Sequence, residues 1–240
     1  MARLATRYAY PGATHMKILV RAAQVAAILA TSLLGTACAP PPEPEITLTG
    51  QVKAVVDRTK ATRETYAMYS WNEMSGGGQP IQEWGAEFHS GDKHRVETPR
   101  DRVIADCRAQ TGVALNLATG EVVEGPVVAR GACGISTARP FTSAEWLGPV
   151  RTPLGSAERI RLSDKNNIRT YDISPTGVIL RATYAENTAS KPISLTSEAV
   201  AVLAQLPAPD IFDRASLSKS YVPDRFKTAP GTAPATTSPS

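Results

Sequence analysis

The feature that most narrows what this chain can fold into is a two-residue alternation of apolar and polar side chains, broken repeatedly by turn-forming residues. Alternation of this kind sends successive side chains to opposite faces, as in a strand with one buried face. In QEWGAEFHS (82–90), Trp84, Ala86 and Phe88 share one face, with Glu83, Gly85 and Glu87 on the other. Gly91 and Asp92 make a turn, and KHRVETP (93–99) reads as a polar strand at a sheet edge. RVIADCR (102–108) aligns Val103, Ala105 and Cys107, and GVALNLATGEVVEG (112–125) reads as a hairpin. The C-terminal half repeats the pattern in ERIRL (158–162), IRTYDI (168–173) and VILRATYAE (178–186), with turns at 164–167 and 174–177. ISLTSEAVAVLAQL (193–206) is read as a strand in preference to a short helix.

Three stretches are less regular. Residues 46–57 fit a strand, or a strand leading into a helix. Residues 59–74 mix helix formers with the strand-like YAMYSW, and 126–156 are irregular with one short helix expected at 143–146. About eight to ten short antiparallel strands result, so the expected class is mainly β. A curled antiparallel sheet or half-open β-barrel with one or two helices as a lid is the expected architecture, and a two-sheet sandwich is the alternative. A length of 240 residues suits one such domain, assigned here to 46–226. The nearly uncharged KTAPGTAPATTSPS (227–240) reads as a disordered tail.

The N-terminus follows a different logic. From Met16 the chain runs MKILVRAAQVAAILATSLLGTAC, with Lys17 and Arg21 ahead of an apolar run of about 13 residues. That run is shorter than the roughly 20 residues of a spanning helix. Residues 1–37 therefore read as a secretory signal segment, with Met16 as the expected true start. They hold Arg3, Arg7, Lys17 and Arg21 and no acidic residue, and the rest of the chain balances 22 basic against 22 acidic residues. The basic excess belongs to the targeting segment, so a clustered surface for nucleic acid is not expected.

Leu34-Gly35-Thr36-Ala37-Cys38 resembles the lipobox of bacterial lipoproteins, although Gly35 stands where that family usually has Leu, Val or Ile. The resemblance implies lipidation (palmitate) at Cys38, with residues 38–45 as a proline-rich tether. It also implies a membrane partner through the lipid anchor and a place in the cell envelope facing the periplasm. The outer membrane is favoured over the inner, because Ala39 and Pro40 follow the cysteine with no Asp. With Cys38 consumed, two cysteines remain, and an oxidising compartment favours a Cys107–Cys133 disulfide.

The strand pair in QEWGAEFHSGDKHRVETP, the hairpin DISPTGVILRATY and the closing LPAPDIFD resemble the periplasmic lipoprotein-carrier and receptor superfamily of the Lol type. That resemblance implies a half-open β-barrel whose apolar cavity holds acyl chains or another hydrophobic ligand. It makes Trp84 and Phe88 candidates for the cavity lining, against plain core as the other reading. A structural or assembly accessory that contacts another envelope protein is the competing function.

No GxSxG, HExxH or P-loop motif is present. His89 and His94 read as an exposed polar hairpin tip, and Asp101, Asp106, Glu121 and Glu124 as solvated strand charges. No catalytic residue, metal site or cofactor is expected, and the chain reads as a non-enzyme, with a hydrolase as the minor alternative.

Overall fold

The computed structural model describes residues 45–76, 79–137, 140–186 and 192–230. The signal segment, Cys38 and most of the tether lie outside those residues, as do residues 231–240 of the tail.

The chain enters through α1 (Gly50–Ala61) and then forms β1 (Tyr66–Ser75), β2 (Ile81–Ser90), β3 (Lys93–Glu97), β4 (Asp101–Asp106), β5 (Thr111–Asn116) and β6 (Val122–Glu124). A short helix, α2 (Pro126–Ala132), leads to β7 (Ser143–Thr152), β8 (Gly155–Ser163), β9 (Asn167–Ile173), β10 (Ile179–Glu186) and β11 (Ser194–Leu203). The strands form one antiparallel sheet of 11, ordered β6-β5-β4-β3-β2-β1-β11-β10-β9-β8-β7. Every neighbouring pair is consecutive in the chain except β1 and β11, so two meanders are zipped together along one seam. That seam runs from Ala67 opposite Leu203 to Ser75 opposite Ser194. The ends, β6 and β7, do not pair, and the sheet stays open.

Both helices pack on one face of the sheet, at opposite wings. In α1, Val52, Val55, Val56 and Thr59 recur at helical spacing and are buried, which decides for helix over strand in this segment. The three valines join Phe141, Ile160, Leu162, Tyr171 and Ile173 in the largest apolar cluster. Arg58 and Lys60 lie in the last turn, where cations suit the helix dipole. At the other wing, Ala129 and Ala132 of α2 pack against Val96, Val103 and Ala105. Pro126 opens α2, where its missing N–H costs no helical bond. Cys107 and Cys133 tie the end of α2 to the end of β4, with Sγ atoms 2.13 Å apart.

Two expectations need correction. The helix expected at 143–146 is instead part of β7, and the helix in that region is α2. Because β7 is an edge strand, it tolerates Pro149 and a bulge between Trp146 and Gly148, the features that made the segment look irregular. Second, β3 is no edge strand. It lies between β2 and β4 with only Lys93 exposed.

The polar residues of β3 are buried because they satisfy one another and the chain's own C-terminal segment. Arg95 and Glu97 are both fully buried, with Nε of Arg95 2.8 Å from Oε1 of Glu97. Arg95 also donates to the carbonyl oxygens of Ile211 at 2.9 Å, Ser216 at 3.2 Å and Lys219 at 2.7 Å. Glu97 accepts from the N–H of Tyr221 at 3.2 Å, and Arg102 completes the group. The segment after β11 is thereby strapped across the outer face of the sheet, where Ile211 and Val222 pack on Ala67, Tyr69 and Phe88. Phe226 stacks on Tyr69 with centroids 4.0 Å apart.

Candidate ligand cavity

The two helices cover the wings of the inner face, and among the described residues no helix packs on its centre, around the β1–β11 seam. A cavity of about 240 Å3 occupies this gap. Small residues keep it open: Ser70, Gly85, Ala182, Ser197 and Ala199 all line it. A Cβ added at Gly85 would stand 2.6 Å from Oγ of Ser70 and 2.7 Å from Nδ2 of Asn72, so a larger residue would crowd the floor. Met68, Val96, Ile135, Ile179, Leu180 and Leu195 supply the apolar wall, and residues 131–136 close one side. An apolar concavity with few polar groups is the usual form of a small-molecule site.

The polar groups converge on one wall through strand register. His89 sits directly opposite both Tyr66 of β1 and His94 of β3, and Glu87 sits opposite Met68 and Val96. Tyr66, Glu87, His89 and His94 therefore project together into the cavity. The rings of Tyr66 and His89 stack, with centroids 5.3 Å apart and planes 13° from parallel. The Nδ1 atoms of His89 and His94 are 3.2 Å apart, and Nε2 of His89 is 3.3 Å from the carbonyl oxygen of Thr62. Nε2 of His94 lies 4.0 Å from Oε2 of Glu87.

Burial dominates the electrostatics. It pushes the Glu87 carboxyl from 4.5 up to about 7. About a third of the Glu87 side chain remains accessible, but that surface opens into the cavity. Burial, helped by the neighbouring His89, pulls His94 from 6.5 down to about 3. His89 is also lowered by burial, against hydrogen bonding to the backbone at Thr62 and Gly91. The Tyr66 hydroxyl is pushed well above its usual range, chiefly by burial and further by Glu87. Glu83 and Asp101, also on the wall, are raised by burial, with Arg100 acting in the opposite direction on both.

The residues singled out in the sequence are distributed differently from expectation. Trp84 and Phe88 lie on the outer face, under the C-terminal strap, and neither lines the cavity. The alternation in β2 was read in the right phase, but the face that borders the cavity is the one carrying Gly85, Glu87 and His89. His89 and His94 are not an exposed tip: they are buried, because the hairpin folds their rings onto the inner face against Tyr66. Tyr66 and Glu87 were missed as site residues, although Glu87 and His89 flank Phe88 on the opposite phase. The carboxylates considered earlier do not converge. Asp106 pairs with Lys93 at 2.6 Å, Glu124 pairs with Arg214, and Asp101 accepts from Asn116 at 3.1 Å. Among the described residues no group of three or more His, Cys, Asp or Glu could hold a metal ion, and no helix is long and apolar enough to cross a membrane.

No family model matches the chain, and no curated protein sequence matches it. Its structural neighbours include Lol-type proteins. A LolA superfamily protein from Nitrosomonas europaea is 6% identical with a TM-score of 0.37, over 72% of this chain and 100% of that one. An outer membrane lipoprotein-sorting protein domain from Vibrio parahaemolyticus is 10% identical with a TM-score of 0.36, over 68% and 97%. An uncharacterized conserved protein from Thermus thermophilus is 13% identical with a TM-score of 0.45, over 69% and 94%.

Proposed function

We propose that this protein is an exported, non-enzymatic envelope lipoprotein, anchored through Cys38, that binds a hydrophobic ligand in the cavity at the centre of its curled sheet. The observation that carries the reading is the cavity itself. Its floor is built from small residues and its wall from aliphatic ones, and burying apolar surface there is favourable by roughly 25 cal/mol per Å2. The export and anchoring part rests on residues 16–38.

Native mass spectrometry of the full chain, extracted mildly from membranes, tests the ligand. A co-purifying lipid or other apolar molecule, lost when Ala199 is replaced by Phe, is expected. A reproducibly empty protein that takes up no apolar probe would overturn the ligand reading. Cys38→Ala tests the anchor: the substituted protein should leave the membrane fraction, and unchanged membrane retention would refute lipidation.

A second reading, an accessory that contacts another envelope protein, is favoured by one surface. Val122 and Val123 of the edge strand β6 and Val127 of α2 are exposed. Exposed apolar residues beside an unpaired strand edge suit protein contact. Crosslinking in intact cells at Val122 should capture a partner if this reading holds, and none if it does not.

A further inference from the structure

Around Glu87 the cavity wall presents acceptors without a matching donor in the tautomer that turns the His89 proton toward Thr62 rather than toward Gly91. The carbonyl of Thr62 can only accept, so the nearby Nε2 of His89 is assigned the proton. Nδ1 of neutral His89 is then bare and accepts from Nδ1–H of His94, 3.2 Å away. That leaves Nε2 of neutral His94 as a bare acceptor, facing Oε2 of Glu87 at 4.0 Å. Two acceptors at that separation cannot bond each other, yet one donor between them can reach both.

Glu87 also lacks the hydrogen-bonded partner that the other carboxylates of the wall have. Glu83 pairs with Arg100 and Glu97 with Arg95, and Asp101 has the amide of Asn116. No side chain among the described residues donates a hydrogen bond to Glu87, although it borders the cavity.

From this donor deficit we propose that the cavity selects amphiphiles with an aliphatic chain and a primary ammonium head, the ammonium bridging Glu87 and Nε2 of His94. The proposal rests on the hydrophobic-ligand reading above and adds the chemistry of the head group. An ammonium brings three donors and a positive charge, and Tyr66 presents an aromatic ring beside the same wall. A fatty acid would bring a second carboxyl to Glu87, and an alcohol has one donor and no charge. The proton that burial favours on Glu87 is the competitor, so ammonium binding should release it. The other titratable groups facing Glu87 are His94, His89 and Tyr66, and Lys60, Glu83, Glu97 and Asp101 lie elsewhere on the wall.

The test is titration of the purified full chain with decylamine, 1-decanol and decanoic acid below their aggregation concentrations, read by calorimetry. At pH 8 decylamine should bind at least about tenfold more tightly than 1-decanol, a difference of about 1.4 kcal/mol. Decanoic acid should bind most weakly. Glu87→Gln should bring the affinity ratio of decylamine to 1-decanol down to about one. In the wild-type protein, which removes any question of folding, decylamine affinity should rise from pH 6 to pH 8. Equal affinities for amine and alcohol, or a preference that survives Glu87→Gln, would overturn the head-group assignment and leave the apolar cavity standing. Failure of all three probes to bind would overturn both.

Discussion

Replacing Glu87 by Gln should change the pH dependence of stability with a sign opposite to that usual for a carboxylate. Glu87 titrates near 4.5 when exposed and at about 7 in the folded protein. Between those values the native state holds a proton that the unfolded chain has released, so stability falls as pH rises through this window. It is fully present below pH 4.5 and fully lost above pH 7. Each tenfold change in proton affinity corresponds to about 1.4 kcal/mol, which sets a ceiling of about 3 kcal/mol. About a third of the Glu87 side chain opens into the cavity, where water would screen the charge, so a loss of about 1–2 kcal/mol is the realistic expectation. Gln keeps the size and cannot ionise. Urea denaturation of both proteins at half-unit intervals from pH 4.5 to pH 8.5 isolates the group, because other titrations cancel in the difference. The wild-type protein should lose about 1–2 kcal/mol relative to Glu87→Gln over that range. A flat difference, or a wild-type protein that gains relative stability as pH rises, would mean that His94 or Tyr66 stabilises the carboxylate and would refute the burial argument.

His94 works in the other direction: lowered from 6.5 to about 3, it is neutral in the native state, so its contribution is present above pH 6.5 and is lost as pH falls towards 3. His94→Gln should flatten that acid limb by about 1–3 kcal/mol in the same urea series, and an unchanged limb would place the proton uptake elsewhere. Arg95→Met leaves the buried Glu97 carboxyl without its main partner under the strap, and should cost about 3–5 kcal/mol, whereas replacing both residues by Met should cost much less. Limited proteolysis after residue 206 reports this directly, since loosening of the strap should be specific to the single variant. Replacing Cys107 and Cys133 together by Ser opens a closed loop with a sequence separation of 26 and should lower stability by about 3 kcal/mol, measured by thermal unfolding against the wild-type protein with and without reductant.

Period-two alternation made most strands legible, and β2, β4, β5, β8, β9, β10 and β11 lie where their patterns place them. Their antiparallel meander follows from the short turns between them, because strands joined by a few residues pair side by side. The misread segments each have a non-local cause. In β3, side chains that look solvated in isolation have tertiary partners: Arg95 and Glu97 are covered by residues more than 100 positions away. Proline at 149 is tolerated only because β7 ends the sheet. Neither circumstance is local, so neither leaves a local trace.

Sequence alone therefore determined the strand class, the two faces of each strand, the candidate export segment and the even pair of cysteines, since these depend on residue type at short spacing. Only the tertiary structure decided which face borders the cavity, because that depends on where α1, α2 and the C-terminal strap come to rest. The sheet has amphipathic character on both sides, and in β2 the side with the aromatic residues packs beneath the strap while the side with Glu87 and His89 borders the empty space. Alternation reports that two faces differ; packing of distant segments decides what each face meets.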